Sequence, residues 1–192
     1  GDLDNMLVVQ PATYSEFADL LLKVSGAKDV PFKTVVIDTI DRLQELIKVH
    51  FATTKPNDSF AMWAATYDKV LDLVNKIAFD LSLNIICITH ESREVTETER
   101  LSLIAPAFEG KQSFKKLPSI FDIIGRMTWE DVGEDGNEQL ITVLNVKAPS
   151  NILTKTRFDN MPAMVGNPSM SKIMNWVHEH YDTKPEKEND DD

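Results

Sequence analysis

The amino-acid sequence predicts an α/β fold with a mainly parallel sheet flanked by helices and an antiparallel hairpin toward the C-terminus. Two short uncharged runs rich in β-branched residues, Thr34–Ile37 and Asn84–Ile88, are typical of strands buried on both faces. Amphipathic segments alternate with these runs, and a strand–helix–strand order favours parallel pairing through right-handed crossovers. Near the C-terminus, the glycine-rich turn 133–137 separates two strand-like segments, which predicts the hairpin.

The first half of the chain gives the clearest succession of elements. Leu7–Gln10 has the composition of a strand, and Tyr14–Val24 places apolar residues on one helical face before Gly26 ends the helix. After the strand that begins at Thr34, we expect a helix from Ile40 to about Phe51. A longer helix from Ser59 to Leu81, capped by Asp58 or Ser59, carries apolar residues every three or four positions, which is the pattern of core packing.

The second half of the chain is less regular. We expect a charged segment after His90 and a locally basic loop beginning at Gly110. We also expect a short helix over Pro118–Ile124 and a strand or strand end near Leu153–Phe158. The hairpin strands are Arg126–Asp131 and Glu138–Val146, and the last predicted element is an amphipathic helix, Met170–Tyr181.

Composition limits the class of protein. The 192 residues suit a single domain, which we place at 1–182, followed by an acidic, disordered tail at 183–192. No apolar run approaches the roughly 20 residues of a membrane span, and the single cysteine, Cys87, fits a core position in a cytoplasmic protein. The net charge of −11 disfavours non-specific coating of nucleic acid, although a local basic patch could still bind DNA.

Asp38 is the first candidate site residue in the sequence. It ends a buried strand immediately before a helix, which places it at the carboxyl edge of a parallel sheet, where ligands of open α/β folds bind. A carboxylate there is what a Walker B motif uses to hold Mg²⁺, usually through water, beside a nucleoside triphosphate. The alternative is that Asp38 or Thr39 only caps the following helix.

Polar residues also end the second buried strand. Thr89 and His90 follow Ile88, so we expect them at the same sheet edge as Asp38. There the Thr89 hydroxyl or a neutral His90 imidazole could bond a γ-phosphate or an attacking water. The alternative is that His90 is an ordinary surface histidine. Asp41 is interpreted as a first-turn acid favoured by the helix dipole.

A phosphate-binding P-loop is not present in the sequence. Its pattern is G-x-x-x-x-G-K-[ST], but the only Gly-Lys pair, Gly110-Lys111, has Ala105 at the first glycine position and Gln112 in place of the serine or threonine. Gly1 stands where an initiator methionine would be, so we expect the Walker A segment to lie upstream of the printed sequence.

Five segments occur in an order that resembles one family. They are Val35–Asp41, Ile86–Glu91, the Gly110-Lys111 loop, Phe121–Arg126 and Lys155–Arg157. Together they resemble the phage-type P-loop nucleotide-binding proteins, a RecA-like AAA ATPase family that includes phage single-strand-annealing recombinases. The resemblance covers roughly residues 7–164. It implies a RecA-like P-loop NTPase core, and the Walker A segment and the acidic residue after the next strand have no counterpart in this sequence.

The resemblance implies roles for individual residues. Asp38 would hold Mg²⁺ through water, Asp38, Thr39 and Thr89 would contact ATP, and His90 would act as the γ-phosphate sensor. Lys155 and Arg157 resemble the fingers that RecA-like rings insert into a neighbouring ATP site; the alternative is a solvated strand edge. The basic residues of the Gly110–Lys116 segment resemble a loop that faces DNA, and they are Lys111, Lys115 and Lys116; the alternative is a solvated helix start.

The function that the resemblance implies is ATP binding and hydrolysis in DNA recombination, repair or replication. The implied cofactors are ATP and Mg²⁺, and the implied partners are single-stranded DNA, further copies in a ring or filament, and a phage single-strand-binding protein as a candidate. The protein would be encoded by a phage or prophage and act in the cytoplasm of the bacterial host. The alternative is a nucleotide-binding pseudo-ATPase or protein-interaction subunit without hydrolysis; a RecA-fold small-molecule kinase lacks a visible acceptor-binding motif.

Overall fold

The computed structural model describes residues 6–27, 30–54, 58–95, 102–109, 111–133 and 139–182. It describes the backbone but not the side chains of residues 94, 95, 102, 111–115 and 182. The chain divides into two compact units: the first comprises the residues up to His90 together with Pro106–Leu117, and the second comprises Glu91–Ala105 and the residues from Pro118 onward. The predicted tail, 183–192, lies outside the described residues.

The first unit consists of helices around one pair of strands. Its elements up to His90 are α1 Tyr14–Gly26, β1 Thr34–Asp38, α2 Ile40–Thr54, α3 Ser59–Asn75, a π-helical turn Lys76–Asp80, and β2 Asn84–Ile88. The predicted helices and the two strands are therefore confirmed, with small differences at their ends. The expectation that both strands are buried on both faces is wrong: Val36 and Ile88 are 55% and 45% exposed, and Ile37 is the one buried residue of β1 and β2. Asp58 caps α3, as predicted, by accepting a 2.8 Å hydrogen bond from the Ala61 N–H.

The core of the first unit lies between α2 and α3. The buried positions of α2 are Ile40, Leu43, Gln44 and Ile47, a spacing that forms one helical face. They pack against α3, whose buried residues are Thr66, Val70, Leu73 and Val74. On β2, burial raises the pKa of the Cys87 thiol to about 12, which fits the predicted role of a small core residue.

The parallel pairing of β1 with β2 is confirmed. Asp38 lies opposite Ile88 at the carboxyl end of the pair, and the register is continuous back to Thr34 opposite Asn84. The predicted strand at Leu7–Gln10 is wrong: the segment has no regular secondary structure, and Leu7 and Val8 are 76% and 77% exposed. An apolar run becomes a strand only where another strand accepts its backbone hydrogen bonds, and no described strand pairs with this one.

The second unit is largely antiparallel. Its elements, with the helix that leads into it, are β3 Glu91–Val95, β4 Ser102–Pro106, α4 Lys111–Ile120, β5 Ile123–Ile124, β6 Arg126–Val132, β7 Gln139–Asn145, β8 Lys155–Thr156, β9 Met164–Gly166 and α5 Met170–Asp182. Antiparallel pairs join β5 to β8, β6 to β7, and β7 to β9. The predicted hairpin strands and the last helix are confirmed, although residues 134–138 of the turn lie outside the described ranges.

Three predictions for this half of the chain differ from the structure. The basic segment predicted as a loop beginning at Gly110 is helical, since α4 begins at Lys111. The helix predicted at Pro118–Ile124 is instead α4, which contains Pro118 and ends at Ile120, because the β-branched pair Ile123–Ile124 hydrogen-bonds to β8 as a strand. The mainly parallel sheet is not seen among the described strands, where β1 and β2 are the only elements paired in parallel with a full register. The fold is α/β, with helices and several small sheets.

A separate hydrophobic core holds the second unit together. Its buried residues are Val146, Phe158, Met161 and Val165, and partly buried side chains of α5, Ile173, Trp176 and Val177, pack against them. Among the described residues of the chain, no helix is long and apolar enough to cross a bilayer.

Candidate functional site

The polar ends of β1 and β2 meet at one sheet edge, as the sequence predicts. Since Asp38 pairs with Ile88 in the parallel register, Thr39 and Thr89 are the next residues along the two strands, followed by His90. The structure thus brings together four predicted site residues that come from segments about fifty positions apart in the chain. Their assigned roles remain predictions.

Thr39, rather than Asp38, caps α2. The Thr39 hydroxyl accepts a 3.3 Å hydrogen bond from the Arg42 N–H, and its carbonyl accepts the first helical bond, from Leu43, at 3.1 Å. Asp38 is exposed, and no described residue hydrogen-bonds to its carboxylate. The capping alternative therefore holds for Thr39, while the Asp38 carboxylate remains available to a ligand.

Asp41, in the first turn of α2, hydrogen-bonds to His90. Its Oδ2 lies 2.8 Å from Nδ1 of His90, and the two residues are 49 positions apart in the chain. The Asp41 side chain is 21% exposed and the His90 side chain 75% exposed, so the carboxylate lies beneath an imidazole that faces solvent. The sequence interpretation of Asp41 as a first-turn acid did not anticipate this contact.

The contact shifts the pKa of both groups. Burial by itself would raise the pKa of Asp41, but the hydrogen bond with His90, and after it the nearby hydroxyls of Thr39 and Thr89, outweigh burial and leave the pKa below its ordinary value. The hydrogen bond to Asp41, together with the charges of Asp41 and Asp38, raises the pKa of His90. Asp41 Oδ1 has no accessible surface and no hydrogen bond of acceptable geometry from any described residue.

Asp38, Thr39, Asp41 and His90, but not the predicted nucleotide contact Thr89, line an open cleft of about 600 Å³, a volume within the range of small-molecule sites. The lining residues are Asp38, Thr39, Asp41, Arg42, Glu45, His90, Ala107 and Glu109. Four of them are acids, and Arg42 is already paired with Glu45. The cleft therefore suits a hard cation such as Mg²⁺, which prefers oxygen ligands, better than a bare anion.

The described residues contain no group of three or more His, Cys, Asp or Glu side chains arranged to hold a metal ion. Mg²⁺ in nucleotide sites commonly uses one or two carboxylates, several waters and substrate phosphates rather than an all-protein cage. The exposed carboxylate of Asp38, which is not ion-paired to any described residue as the exposed carboxylates of Glu45 and Glu109 are, fits that mode of binding.

A buried glutamine fixes one wall of the cleft. The Gln44 side chain is 1% exposed. Its amide nitrogen donates to the Glu109 carbonyl at 2.8 Å, and its amide oxygen accepts from the Glu109 N–H at 2.9 Å. Lys48, one turn further along α2, pairs with the Glu109 carboxylate. Gln44 thereby attaches the segment that leads into α4 to the helix carrying Asp41. No local sequence signal distinguishes Gln44 from a surface glutamine.

The structure covers only part of the predicted DNA-binding segment. Lys116 is exposed, and its ammonium lies 5.7 Å from the centroid of the Tyr67 ring, within cation–π range. The side chains of Lys111 and Lys115 lie outside the described part of the chain.

Lys155 and Arg157 belong to the second unit, where both contact the end of α4. The Lys155 ammonium donates to the Ser119 carbonyl at 2.9 Å, and Arg157 donates to the same carbonyl at 3.2 Å and pairs with Asp122 at 2.8 Å. Cations at helix C-termini are stabilised by the free carbonyls. Burial, followed by the charge of Arg157, lowers the pKa of Lys155. The predicted finger role is not tested by these contacts.

Comparison with known proteins identifies the family. A family model described as an AAA domain matches residues 2–158. Neither the curated proteins nor the solved structures gave a significant match. AAA domains are nucleotide-binding domains of the P-loop ATPase type, and the match spans both β1 and β2 with the residues that follow them. The chain belongs to the AAA domain family.

Proposed function

We propose that this protein binds and hydrolyses ATP with Mg²⁺ and acts on single-stranded DNA in recombination, repair or replication. The observation that supports ATP chemistry is the carboxylate of Asp38, which does not cap α2 and lies at the carboxyl end of a parallel strand pair within the AAA-matched region. We propose further that the protein is encoded by a phage or prophage and acts in the host cytoplasm.

The residues at this edge of the β1–β2 pair have distinct proposed tasks. Asp38 would hold Mg²⁺ through water, and the metal would neutralise charge on the phosphates. Thr39 and Thr89 would offer hydroxyls to the nucleotide or to waters of the metal. His90 would bond the γ-phosphate or the attacking water, since its imidazole is exposed and held at the same edge.

The proposal includes a RecA-like core with the β1–β2 pair at its centre. It also requires a glycine-rich phosphate loop, because the printed sequence contains no G-x-x-x-x-G-K-[ST] and four of the residues that line the cleft are acids. Reading the coding sequence upstream of Gly1 for G-x-x-x-x-G-K-[ST] tests this requirement. The biochemical test is ATP turnover by the natural protein, which should require Mg²⁺ and rise when single-stranded DNA is added.

Lys111, Lys115 and Lys116 are the proposed DNA contacts. Changing all three to Ala should weaken single-stranded DNA binding equally for all sequences, because phosphate contacts carry no sequence information. The dependence of log K on log salt concentration should also become shallower, by about 2 for three contacts at roughly 0.7 each. A matched control changes the exposed lysines Lys23 and Lys33 to Ala. Equal slopes in the two variants would assign the three lysines to ordinary surface.

The proposed assembly is a ring or filament of this chain on the DNA strand, with a phage single-strand-binding protein as a candidate partner. In such an assembly Lys155 and Arg157 would reach the ATP site of a neighbouring subunit. Arg157 is 54% exposed in its contact with Asp122, so exchanging that partner for a phosphate would break only a surface ion pair.

A second candidate function is a nucleotide-binding or protein-interaction subunit without hydrolysis. One face of the β6–β7 hairpin exposes large apolar side chains, with Met127 56%, Trp129 75% and Leu140 63% accessible. Exposed apolar surface of this kind often marks a protein interface. Nucleotide binding with no turnover, in the presence of Mg²⁺ and DNA, would favour this candidate over the ATPase.

A further inference from the structure

The Asp41–His90 hydrogen bond determines which nitrogen of His90 faces the cleft. Asp41 approaches Nδ1 at 2.8 Å, and a carboxylate can only accept a hydrogen bond. The pKa of Asp41 lies below its ordinary value, so the carboxyl is ionised near neutral pH and Nδ1 must carry the proton. A neutral imidazole then presents an unprotonated Nε2, which accepts a hydrogen bond and does not donate one.

The burial of Asp41 indicates that it does more than favour the helix dipole. An acid in the first turn interacts with the dipole without leaving water. Asp41 instead has one oxygen, Oδ1, with no accessible surface and no hydrogen bond from a described residue, and its other oxygen is directed at His90. Desolvating a carboxylate in this way is unfavourable, so the contact with His90 offsets a real energetic penalty.

His90 is held from its backbone as well as from its ring. Its carbonyl accepts hydrogen bonds from the Ala107 N–H at 2.9 Å and from the Thr89 hydroxyl at 3.1 Å. With Asp41 bonded to Nδ1, both the position of the residue and the orientation of its ring are defined. The remaining ring nitrogen belongs to a side chain that is 75% exposed and lines the cleft beside Asp38.

We propose, building on the ATPase function proposed above, that Asp41 is the positioning residue for His90, holding the imidazole in its Nδ1–H form so that Nε2 accepts a hydrogen bond from the attacking water. This resolves the two tasks left open for His90. A neutral His90 oriented by Asp41 has no N–H left for a phosphate oxygen. It therefore orients the attacking water, whose O–H donates a hydrogen bond to Nε2. Other charged groups lining the cleft, namely Asp38, Arg42, Glu45 and Glu109, make no hydrogen bond to the ring.

The first test measures the tautomer of His90, which does not depend on nucleotide. Long-range ¹H–¹⁵N NMR spectra of the ¹⁵N-labelled chain, recorded above the pKa of His90 and assigned by loss of signals in His90→Ala, distinguish Nδ1–H from Nε2–H. Wild type should show Nδ1–H. Asp41→Ala should shift the ring to Nε2–H and lower the pKa of His90, while Glu45→Gln, which removes another acid of the cleft, should leave the tautomer unchanged.

If Asp41→Ala does not fold, Asp41→Asn keeps the side-chain shape. Its amide can either donate to or accept from Nδ1, so both tautomers should appear. An Nε2–H ring in wild type, or an Nδ1–H ring that persists unchanged in the Asp41 variants, would overturn the proposal.

The second test measures hydrolysis in the natural full-length protein. Asp41→Ala should lower kcat by about tenfold or more with little change in KM, as expected when the partner that orients a histidine is removed. In His90→Ala the same change at Asp41 should have little further effect. Independent losses at the two residues would contradict the positioning role while leaving the ATPase function intact. Wild type without turnover in the presence of Mg²⁺ and DNA would instead contradict the proposed function, even if the NMR tautomer were as expected.

Discussion

Gln44 offers a quantitative test of how the cleft is built. Its buried amide satisfies both backbone groups of Glu109, at 2.8 and 2.9 Å, and Gln44→Met replaces it by an apolar side chain of similar size. The substitution leaves a backbone donor and a backbone acceptor without their partner. Each unsatisfied group is worth about 1–3 kcal/mol, reduced where water can enter, so we expect a loss of about 2–4 kcal/mol in the free energy of unfolding.

The measurement is thermal unfolding followed by circular dichroism, with Glu109→Gln as the matched control. The control removes only the ion pair between Lys48 and the Glu109 side chain, keeps the backbone bonds to Gln44, and should change stability by less than about 1 kcal/mol. For a chain of this size, a loss of 2–4 kcal/mol corresponds to a Tm decrease of roughly 4–16 °C. If Gln44→Met lowers Tm no more than Glu109→Gln does, the hydrogen bonds between the Gln44 amide and the Glu109 backbone do not stabilise the fold.

Three further predictions address other residues. The Asp41–His90 pair should stabilise the fold most between pH 3.8 and 6.5, the ordinary pKa values of the two groups. Because the pKa of Asp41 is lowered in the fold, its stabilisation is lost as pH falls; because the pKa of His90 is raised, its stabilisation is lost as pH rises. The difference in unfolding free energy between wild type and Asp41→Asn, measured in urea at several pH values, should peak in that window, and a flat difference would contradict the prediction. His90→Ala should lower kcat more than it lowers nucleotide affinity, since the residue acts mainly in the transition state, and a loss of affinity with kcat intact would indicate a ground-state contact. Mixing Arg157→Ala subunits with Asp38→Asn subunits, each inactive alone, should partly restore hydrolysis because some interfaces then join an intact Asp38 site to an intact Arg157, and no recovery in mixtures shown to co-assemble would count against a finger acting in trans.

Local pattern was sufficient to predict most elements of the first unit. The strand ending at Asp38, the helix beginning at Ile40, and the Asp58 cap are each defined by a few neighbouring residues, and all three are found. The wrong strand at Leu7–Gln10 shows the limit of this reasoning. Its composition suits a strand, but strand formation depends on a partner elsewhere in the chain, which composition cannot supply.

The parts of the site that the sequence did not reveal are its long-range hydrogen bonds. Asp38, Thr39, Thr89 and His90 could be placed at one edge because parallel strands end together. The partner of His90 is Asp41, whose position three residues after Asp38 is equally typical of a first-turn acid. Lys155 and Arg157 both donate to the Ser119 carbonyl, a contact that only the fold identifies.

Hydrolysis by Asp38→Asn is the measurement on which the ATPase interpretation depends. The substitution keeps the shape of an exposed side chain that no described residue hydrogen-bonds to, so folding and Tm should be unchanged. The amide lacks the charge with which the carboxylate would hold Mg²⁺ and its waters, so Mg²⁺-dependent ATP turnover by the natural full-length protein should be nearly abolished. Glu45→Gln, in the same cleft, should retain activity. Turnover of Asp38→Asn equal to that of wild type would show that Asp38 is not the metal-binding acid.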